Sequence, residues 1–309
     1  MEPGLKTVLL DNNYSEDDAD ALSYLQQATQ LDPESAQAHA GLAECYGRMA
    51  ISGLKTNRDA FAAQKAEAQK ALMLDPTLSE AHAELADTLM EYDWDWENAG
   101  KEYLHALELN NNSASAHQKY AIYLLFQGHT SEAIQQVESG GSLDPISAIS
   151  IRNQLFVYLF ARNYDKMFRL LDLTRALGMN PPGGSFFIGA SYVGKKQYPA
   201  AIDTFLHAPK TTHTLGHLGN AYALAGQRTE AMKVIVALQQ DVRNLGVGNY
   251  EIALVYAGLG NKRNALLWLQ NAYQTHDAGL LYLRIDPGLD SLRNEPDFQA
   301  LLHKTGLGF

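Results

Sequence analysis

The chain spells AHAELADTL at Ala81–Leu89 and writes near-copies of it at 38–46 (AHAGLAECY) and 116–124 (AHQKYAIYL). Each copy opens on Ala-His, sets a small residue in sixth place and a bulky one in ninth. Following the sixth place along the sequence gives a column: Ala43, Ala86, Ala121, Leu155, Gly189, Gly219 and Ala253. Its spacings are 43, 35, 34, 34, 30 and 34 residues. The ninth place reads Tyr46, Leu89, Leu124, Tyr158, Tyr192, Tyr222 and Tyr256.

A second small column follows twelve or thirteen residues after the first: Ala99, Ala133, Met167, Ala201, Ala231 and Ala265. Seven residues later lies a third, Ala106, Gly140, Thr174, Ala208, Leu238 and Ala272, with Tyr103, Val137, Leu171, Phe205, Ile235 and Leu269 between the two. Offsets of three, four and seven share one face of an α-helix. Small residues on two helices joined by a short connector let the pair approach closely, and the bulky residues fill the groove that results. The pattern predicts hairpins of about 34 residues that must stack, because one hairpin cannot bury its apolar face alone. The punctuation agrees. Leu-Asp-Pro at 31–33, 74–76 and 143–145 closes units, since proline stops one helix and suits the first turn of the next. Gly128, Gly194, Gly226 and Gly260 fall where first helices end, and each is expected to supply a left-handed cap.

A hairpin of this length with Leu218-Gly219-Asn220-Ala221-Tyr222 and Ala201-Ile202-Asp203-Thr204-Phe205 resembles the tetratricopeptide repeat over roughly residues 15–275. The resemblance implies an all-α, right-handed superhelical solenoid of about seven to eight antiparallel hairpins. Residues 1–180 would form the acidic N-terminal hairpins. Residues 181–309 would form the C-terminal ones with a capping helix, continuous with the first because Leu155 and Gly189 keep the 34-residue spacing. Pro181-Pro182-Gly183-Gly184 between them reads as a hinge or a longer turn. The chain departs from the family pattern in three places. Leu155 and Met167 replace both small residues of one unit, so its packing should be looser or rearranged. The usual tryptophan column holds His39, His82, His117, Ile151, Ser185, Leu215 and Asn249. Residues 48–60 carry an insertion of about nine residues. Residues 92–126 and the tail at 286–307 are similar to arrays attached to bacterial winged-helix transcription regulators and adenylate cyclases. Neither a winged helix nor a cyclase domain is recognisable, so the chain reads as a free-standing array or a fragment.

Composition narrows the function. The 309 residues carry a net charge of −11. Residues 1–110 hold 21 acids against 7 bases, and the remainder 14 against 17. Such a chain is unsuited to neutralising phosphates, so nucleic acid is not an expected partner. The acidic half suits either solubility or a basic partner. No apolar run approaches the ~20 residues of a spanning helix, and the start MEPGLKTVLL lacks the charged-then-apolar order of a secretory signal. A single cysteine, Cys45, fits a reducing cytoplasmic setting and reads as an inert filler on a packed helix.

No catalytic constellation emerges. P-loop and G-x-S-x-G patterns are missing, and Gly246-Val247-Gly248 is too short for a dinucleotide loop. His39, His82 and His117 occupy equivalent places on successive units, about 8–10 Å apart per helix, whereas zinc needs donors at about 2 Å. They read as partly buried imidazoles bonded to neighbours. His213 and His217, at i and i+4, carry an alternative reading as ligands of a metal-dependent hydrolase. Trp94 and Trp96 are two residues apart, so one at most should be well buried.

The leading expectation is a non-catalytic interaction scaffold without cofactor or metal, monomeric, binding a protein or peptide partner. The alternative is a sensor or regulatory segment separated from its output domain. The family resemblance implies that first helices line a concave groove. Its solvent-directed positions would be Glu44, Arg48, Asp87, Glu91, Gln118, Lys119, Phe126, Phe186, Asn220 and Tyr250. A basic segment of the partner would sit near Glu44, Asp87 and Glu91, with an apolar anchor near Phe126 or Phe186. The Lys/Asn/Arg carboxylate clamp of some members is not reproduced, as Ala40 and Ala83 stand at expected basic places.

Overall fold

The computed structural model describes residues 16–51, 57–181 and 183–308. The side chains of Glu16, Asp17 and Asp18, expected to cap the first unit, fall outside that description, as do Pro182 and residues 52–56 of the insertion. The described residues form helices and turns, with no strand among them. After α1 (Glu16–Leu31) the helices follow as short-linked pairs, a first and a second helix in each. The pairs are α2 (Ala36–Ile51) with α3 (Asn57–Leu74), α4 (Ser79–Glu91) with α5 (Trp96–Leu109), and α6 (Ala114–Phe126) with α7 (Thr130–Leu143). Then come α8 (Ala148–Phe160) with α9 (Tyr164–Ala176), and α10 (Gly184–Gly194) with α11 (Tyr198–His207). The last are α12 (Thr212–Leu224) with α13 (Arg228–Leu245), and α14 (Asn249–Gly258) with α15 (Lys262–Gln274). Two 3₁₀ turns, Ala278–Tyr282 and Pro287–Leu292, lead into α16 (Pro296–Lys304). The fold class is all-α, a helical-repeat solenoid.

Two compact units emerge. One holds residues up to 123 together with 135–145, and the other holds 124–134 and everything from 146. Inside each unit first helices touch the next first helix: α2 with α4 in one, and α8, α10, α12 and α14 in succession in the other. All members of the three small columns and of the bulky column are buried. Ala43, Ala86, Ala99, Ala106, Ala121, Ala201, Ala253 and Ala265 are wholly inaccessible, as are Tyr103 and Leu269. Leu155 and Met167 are wholly buried too, so the α8–α9 seam is filled by two large side chains where its counterparts use alanine and glycine.

Leu31, Leu74 and Leu143 are the last residues of α1, α3 and α7. The Asp32 and Asp75 carboxylates then accept from the backbone N–H two residues on, at 3.2 and 2.9 Å, which shapes the turn before the proline-led restart.

The turn from first to second helix has its own period. A residue with positive φ stands at Trp94, Gly128, Arg162, Lys196, Gly226 and Gly260, at spacings of 34, 34, 34, 30 and 34. In all six the following residue donates its N–H to the ninth-column carbonyl of Leu89, Leu124, Tyr158, Tyr192, Tyr222 or Tyr256 at 2.8–2.9 Å. This is the cap that satisfies the last carbonyls of a helix. Glycine fills only half of these places. Gly194, expected as a cap, is instead the last residue of α10, and the left-handed residue is Lys196. A Cβ on Gly194 would run into the Tyr164 hydroxyl, so that glycine serves a close approach.

A non-glycine side chain in the left-handed region costs about 1–2 kcal/mol. Lys196 is exposed, so Lys196→Gly is expected to raise unfolding free energy by about 1 kcal/mol in urea titration. A loss of stability would contradict that account of the turn.

Candidate functional site

In the first unit the histidine column fastens each hairpin. His39 Nδ1 meets Glu67 at 2.6 Å and its Nε2 meets the Pro33 carbonyl at 3.1 Å. His82 repeats this with Glu102 at 2.6 Å and Pro76 at 3.1 Å. His117 does so with Gln136 at 2.6 Å and Asn111 at 2.9 Å. Each ring therefore ties a first helix to the second helix of its own hairpin and to the turn before it. Both ring nitrogens are occupied by oxygen partners in every copy.

The same unit carries a charged network across α3, α4, α5 and α6. Lys119 Nζ lies 2.9 Å from Glu84 and pairs closely with Asp87. Tyr103 donates its hydroxyl to Asp87 at 2.5 Å, and Gln64 Nε2 donates to Glu84 at 3.0 Å. Side-chain exposures of 5% for Glu84, 14% for Asp87 and 17% for Lys119 place the network beneath the surface. Burial pushes the Glu84 carboxyl up to about 7, with the neighbouring Asp87 and Glu44 charges adding to the rise and Lys119 opposing it. Lys119 is held charged, well above an ordinary lysine, because Asp87 and Glu84 outweigh its desolvation. Asp87 is the close partner of Lys119, while Glu84 is the more buried of the two. At the edge, Arg48 reaches Glu44 at 3.4 Å, the two side chains being 30% and 45% exposed. Glu91 is half-buried at the end of α4.

Of the ten residues expected to face solvent, Glu44, Arg48, Glu91 and Phe186 retain partial exposure, and Asp87 and Lys119 are paired. Gln118, Phe126, Asn220 and Tyr250 are buried, which corrects the expectation for those four. The physical reason in the second unit is the chain's own tail. The ring of Tyr282 lies 5.9 Å from Phe126, 6.0 Å from Phe156, 5.4 Å from Phe160, 5.7 Å from His213 and 6.2 Å from Tyr250. Tyr250 donates its hydroxyl to Asp286 at 2.8 Å, and Asn220 donates to the Leu254 carbonyl at 2.9 Å. Two Asp-x-Gly turns set this path. Asp277 accepts from Gly279 N–H at 3.0 Å, and Asp286 accepts from Gly288 N–H at 2.7 Å. Leu283, Leu289, Leu292 and Phe298 are completely buried, so the tail is part of the core. Nothing in residue spacing announced Tyr282. The two Asp-x-Gly turns were the legible signal.

His213 and His217 sit together on α12 with ring centroids 4.7 Å apart, packed against Phe186. His213 Nδ1 faces Glu251 at 3.4 Å. His217 is buried, its Nε2 lacks a hydrogen-bond partner, and burial with the His213 charge pulls its pKa well below the ordinary value. Burial beside Glu251 pushes Asp277 up to about 7. Among the described residues no three His, Cys, Asp or Glu side chains converge as a metal ion would need. Trp96 is buried and Trp94 half-buried, as a spacing of two requires. Among the described residues no helix is long and apolar enough to cross a membrane.

No protein-family profile matches the sequence, and no curated protein does. Solved structures do. The chain is similar over 98% of its length to a chain of the APC/C hetero-tetramer Cut9–Hcn1, with a TM-score of 0.59 and 15% identity, and spans 54% of that chain. It is similar over 85% of its length to a tetratricopeptide repeat protein from Parabacteroides merdae, with a TM-score of 0.55 and 13% identity, covering 98% of that chain. The fold is that of a tetratricopeptide-repeat protein. At these identities the likeness is one of fold alone.

Two outcomes follow from the histidine ties and the Glu84 network. His82→Ala leaves Glu102 and the Pro76 carbonyl without their shared partner and is expected to cost about 1–3 kcal/mol in urea unfolding. For Glu84 the folded pKa lies above the unfolded one, so its contribution is complete below about pH 4.5 and is lost as pH rises toward 7. Glu84→Gln is therefore expected to lose less stability than wild type between those pH values, and parallel curves would refute the shift.

Proposed function

We propose that the protein is a non-catalytic scaffold that docks a protein or peptide partner carrying a basic segment on the α2–α4–α6 face of its first unit. The observation that carries this reading is the acidic character of that face. Glu44, Glu84, Asp87 and Glu91 lie on it, and Glu44, with its side chain 45% exposed, stands at its edge. Lys119 is committed to Asp87 and Glu84. A lysine or arginine from a partner would find Glu44 and Glu91 at the accessible edge, and desolvation on docking strengthens the attraction. Gln118 supports α6 from within. Phe126 lies under Tyr282 and Phe186 packs against His213 and His217 within the second unit, so neither is assigned to the first unit's face. Asn220 and Tyr250 hold the second unit together and are not contact residues.

The structural neighbours support the reading at the level of fold. The sensor reading is a narrower form of the same proposal, in which the docking face reports to an output domain on another chain or segment.

Fluorescence anisotropy with labelled Lys/Arg-rich and Asp/Glu-rich 12-residue peptides tests the proposal. Basic peptides are expected to bind, more weakly as salt rises, and the pair Glu44→Lys and Glu91→Lys to weaken them about tenfold or more. Equal binding of acidic peptides, or no effect of the double reversal, would overturn it.

A further inference from the structure

The turns from first to second helices lie along one edge of the second unit, because its first helices stack side by side in the same direction. That edge is basic. The stretches 161–166, 195–200, 225–230 and 259–264 compose it, and they hold seven cations against two acids, Asp165 and Glu230. The α4–α5 turn of the first unit carries Asp93, Asp95 and Glu97 instead, so a basic turn is not a demand of the hairpin.

Part of this charge is used by the fold. Arg162 pairs with Asp290 and Lys262 with Glu295, each at 2.7 Å. Lys195, Lys196, Arg228 and Arg263 are exposed and have no carboxylate partner among the described residues. The Lys195 ammonium rests 4.7 Å from the centroid of the Phe168 ring, which orients it without neutralising it. The placement of these cations runs against local preference. Arg228 opens α13 and Arg263 stands in the first turn of α15, where the helix dipole favours carboxylates over cations. Gln227, the N-cap of α13, makes no side-chain cap hydrogen bond. Lys196 takes the left-handed position that glycine fills in the next two turns, as Gly226 and Gly260. Side chains that break a local rule without a packing return point to a functional surface.

Arg228 also borders an open groove of about 460 Å³ along α13, lined by Arg228, Thr229, Met232, Lys233 and Val236. Arg228, Met232 and Val236 share one helix face at i, i+4 and i+8, and the two apolar side chains are 38% and 54% exposed. Lys233 pairs with Glu230 at 2.8 Å between exposed side chains, a contact worth little in water. We propose that this edge docks an acidic protein segment carrying one bulky apolar residue. Its carboxylates meet Lys195, Lys196, Arg228 and Arg263, and the apolar residue lies on Met232 and Val236. Neighbouring helices stand about 8–10 Å apart and an extended chain advances about 3.3 Å per residue, so Asp or Glu at every third residue keeps pace with the turns. The aliphatic floor favours such a segment over single-stranded nucleic acid, which is held on aromatic platforms. This edge and the acidic face of the first unit differ in sign and in elements, so neither proposal depends on the other.

Fluorescence anisotropy of the full chain tests this with labelled probes. One is a 12-residue peptide with Glu at every third position and a central Leu, another the same peptide with Ser in place of Leu, and the last a single-stranded oligothymidylate. The leucine peptide is expected to bind, more weakly as salt rises, and the serine peptide to bind about tenfold or more weakly than it. Arg228→Glu combined with Arg263→Glu is expected to weaken the leucine peptide about tenfold or more, and Val236→Ser to remove its advantage over the serine peptide. Both reversed side chains are exposed and glutamate suits a helix start, so the double variant is expected to fold, and circular dichroism checks this. Should it fail to fold, Lys196→Glu, exposed in a turn, carries the charge test. No binding of the leucine peptide, equal binding of the serine peptide, tighter binding of the oligonucleotide, or undiminished binding by the folded charge-reversed chain would overturn the proposal.

Discussion

Close approach of two helices at each seam is the constraint on which the rest depends. Ala86, Ala99 and Ala106, like Ala253, Ala265 and Ala272, have no accessible surface. A larger side chain at such a point pushes helices apart or is forced off its rotamer. The chain repeats that constraint at nearly constant spacing, and the bulky column, from Tyr103 to Leu269, fills what the small residues leave. Stability in such a stack is largely a sum of hairpin and neighbour terms, so each unit needs its own fastening. The histidine ties of the first unit and the left-handed caps of both provide it.

Once the seams fix the helices, the first-helix faces receive polar side chains close together, and the two units use them differently. In the first, one buried lysine is shared between two carboxylates while further acids remain at the edge. In the second, the corresponding face is closed by the chain itself. Tyr282 takes the centre of an aromatic cluster and Asp286 the Tyr250 hydroxyl. A face filled by completely buried leucines is not available to a partner without unfolding the tail, because each buried leucine contributes about 1.5–3 kcal/mol. The docking of a basic segment proposed above therefore falls on the first unit.

The hairpins were legible because period is a property of residue type along the chain. Leu31, Leu74 and Leu143 end helices where Leu-Asp-Pro placed the boundaries, and every residue of the three small columns proved buried. The left-handed caps were half legible. Gly128, Gly226 and Gly260 announce them, but Trp94, Arg162 and Lys196 adopt the same conformation because the hairpin geometry imposes it against local preference. The site was less legible. Glu44, Asp87 and Lys119 were named from helical position, yet position on one helix cannot tell what another segment covers. Asn220 and Tyr250 face inward because residues some 34 and 36 positions later come back to meet them. Arg162 and Asp290 meet across 128 residues, a relation that no spacing rule expresses.

Amide hydrogen exchange resolved along the whole chain tests the seam account most directly. Helix amides flanking the small columns should exchange slowest, with protection recurring at about 34-residue intervals through both units and falling at each left-handed cap. Protection without that period, or rapid exchange at Ala86, Ala121 and Ala253 while exposed helix faces stay protected, would contradict it.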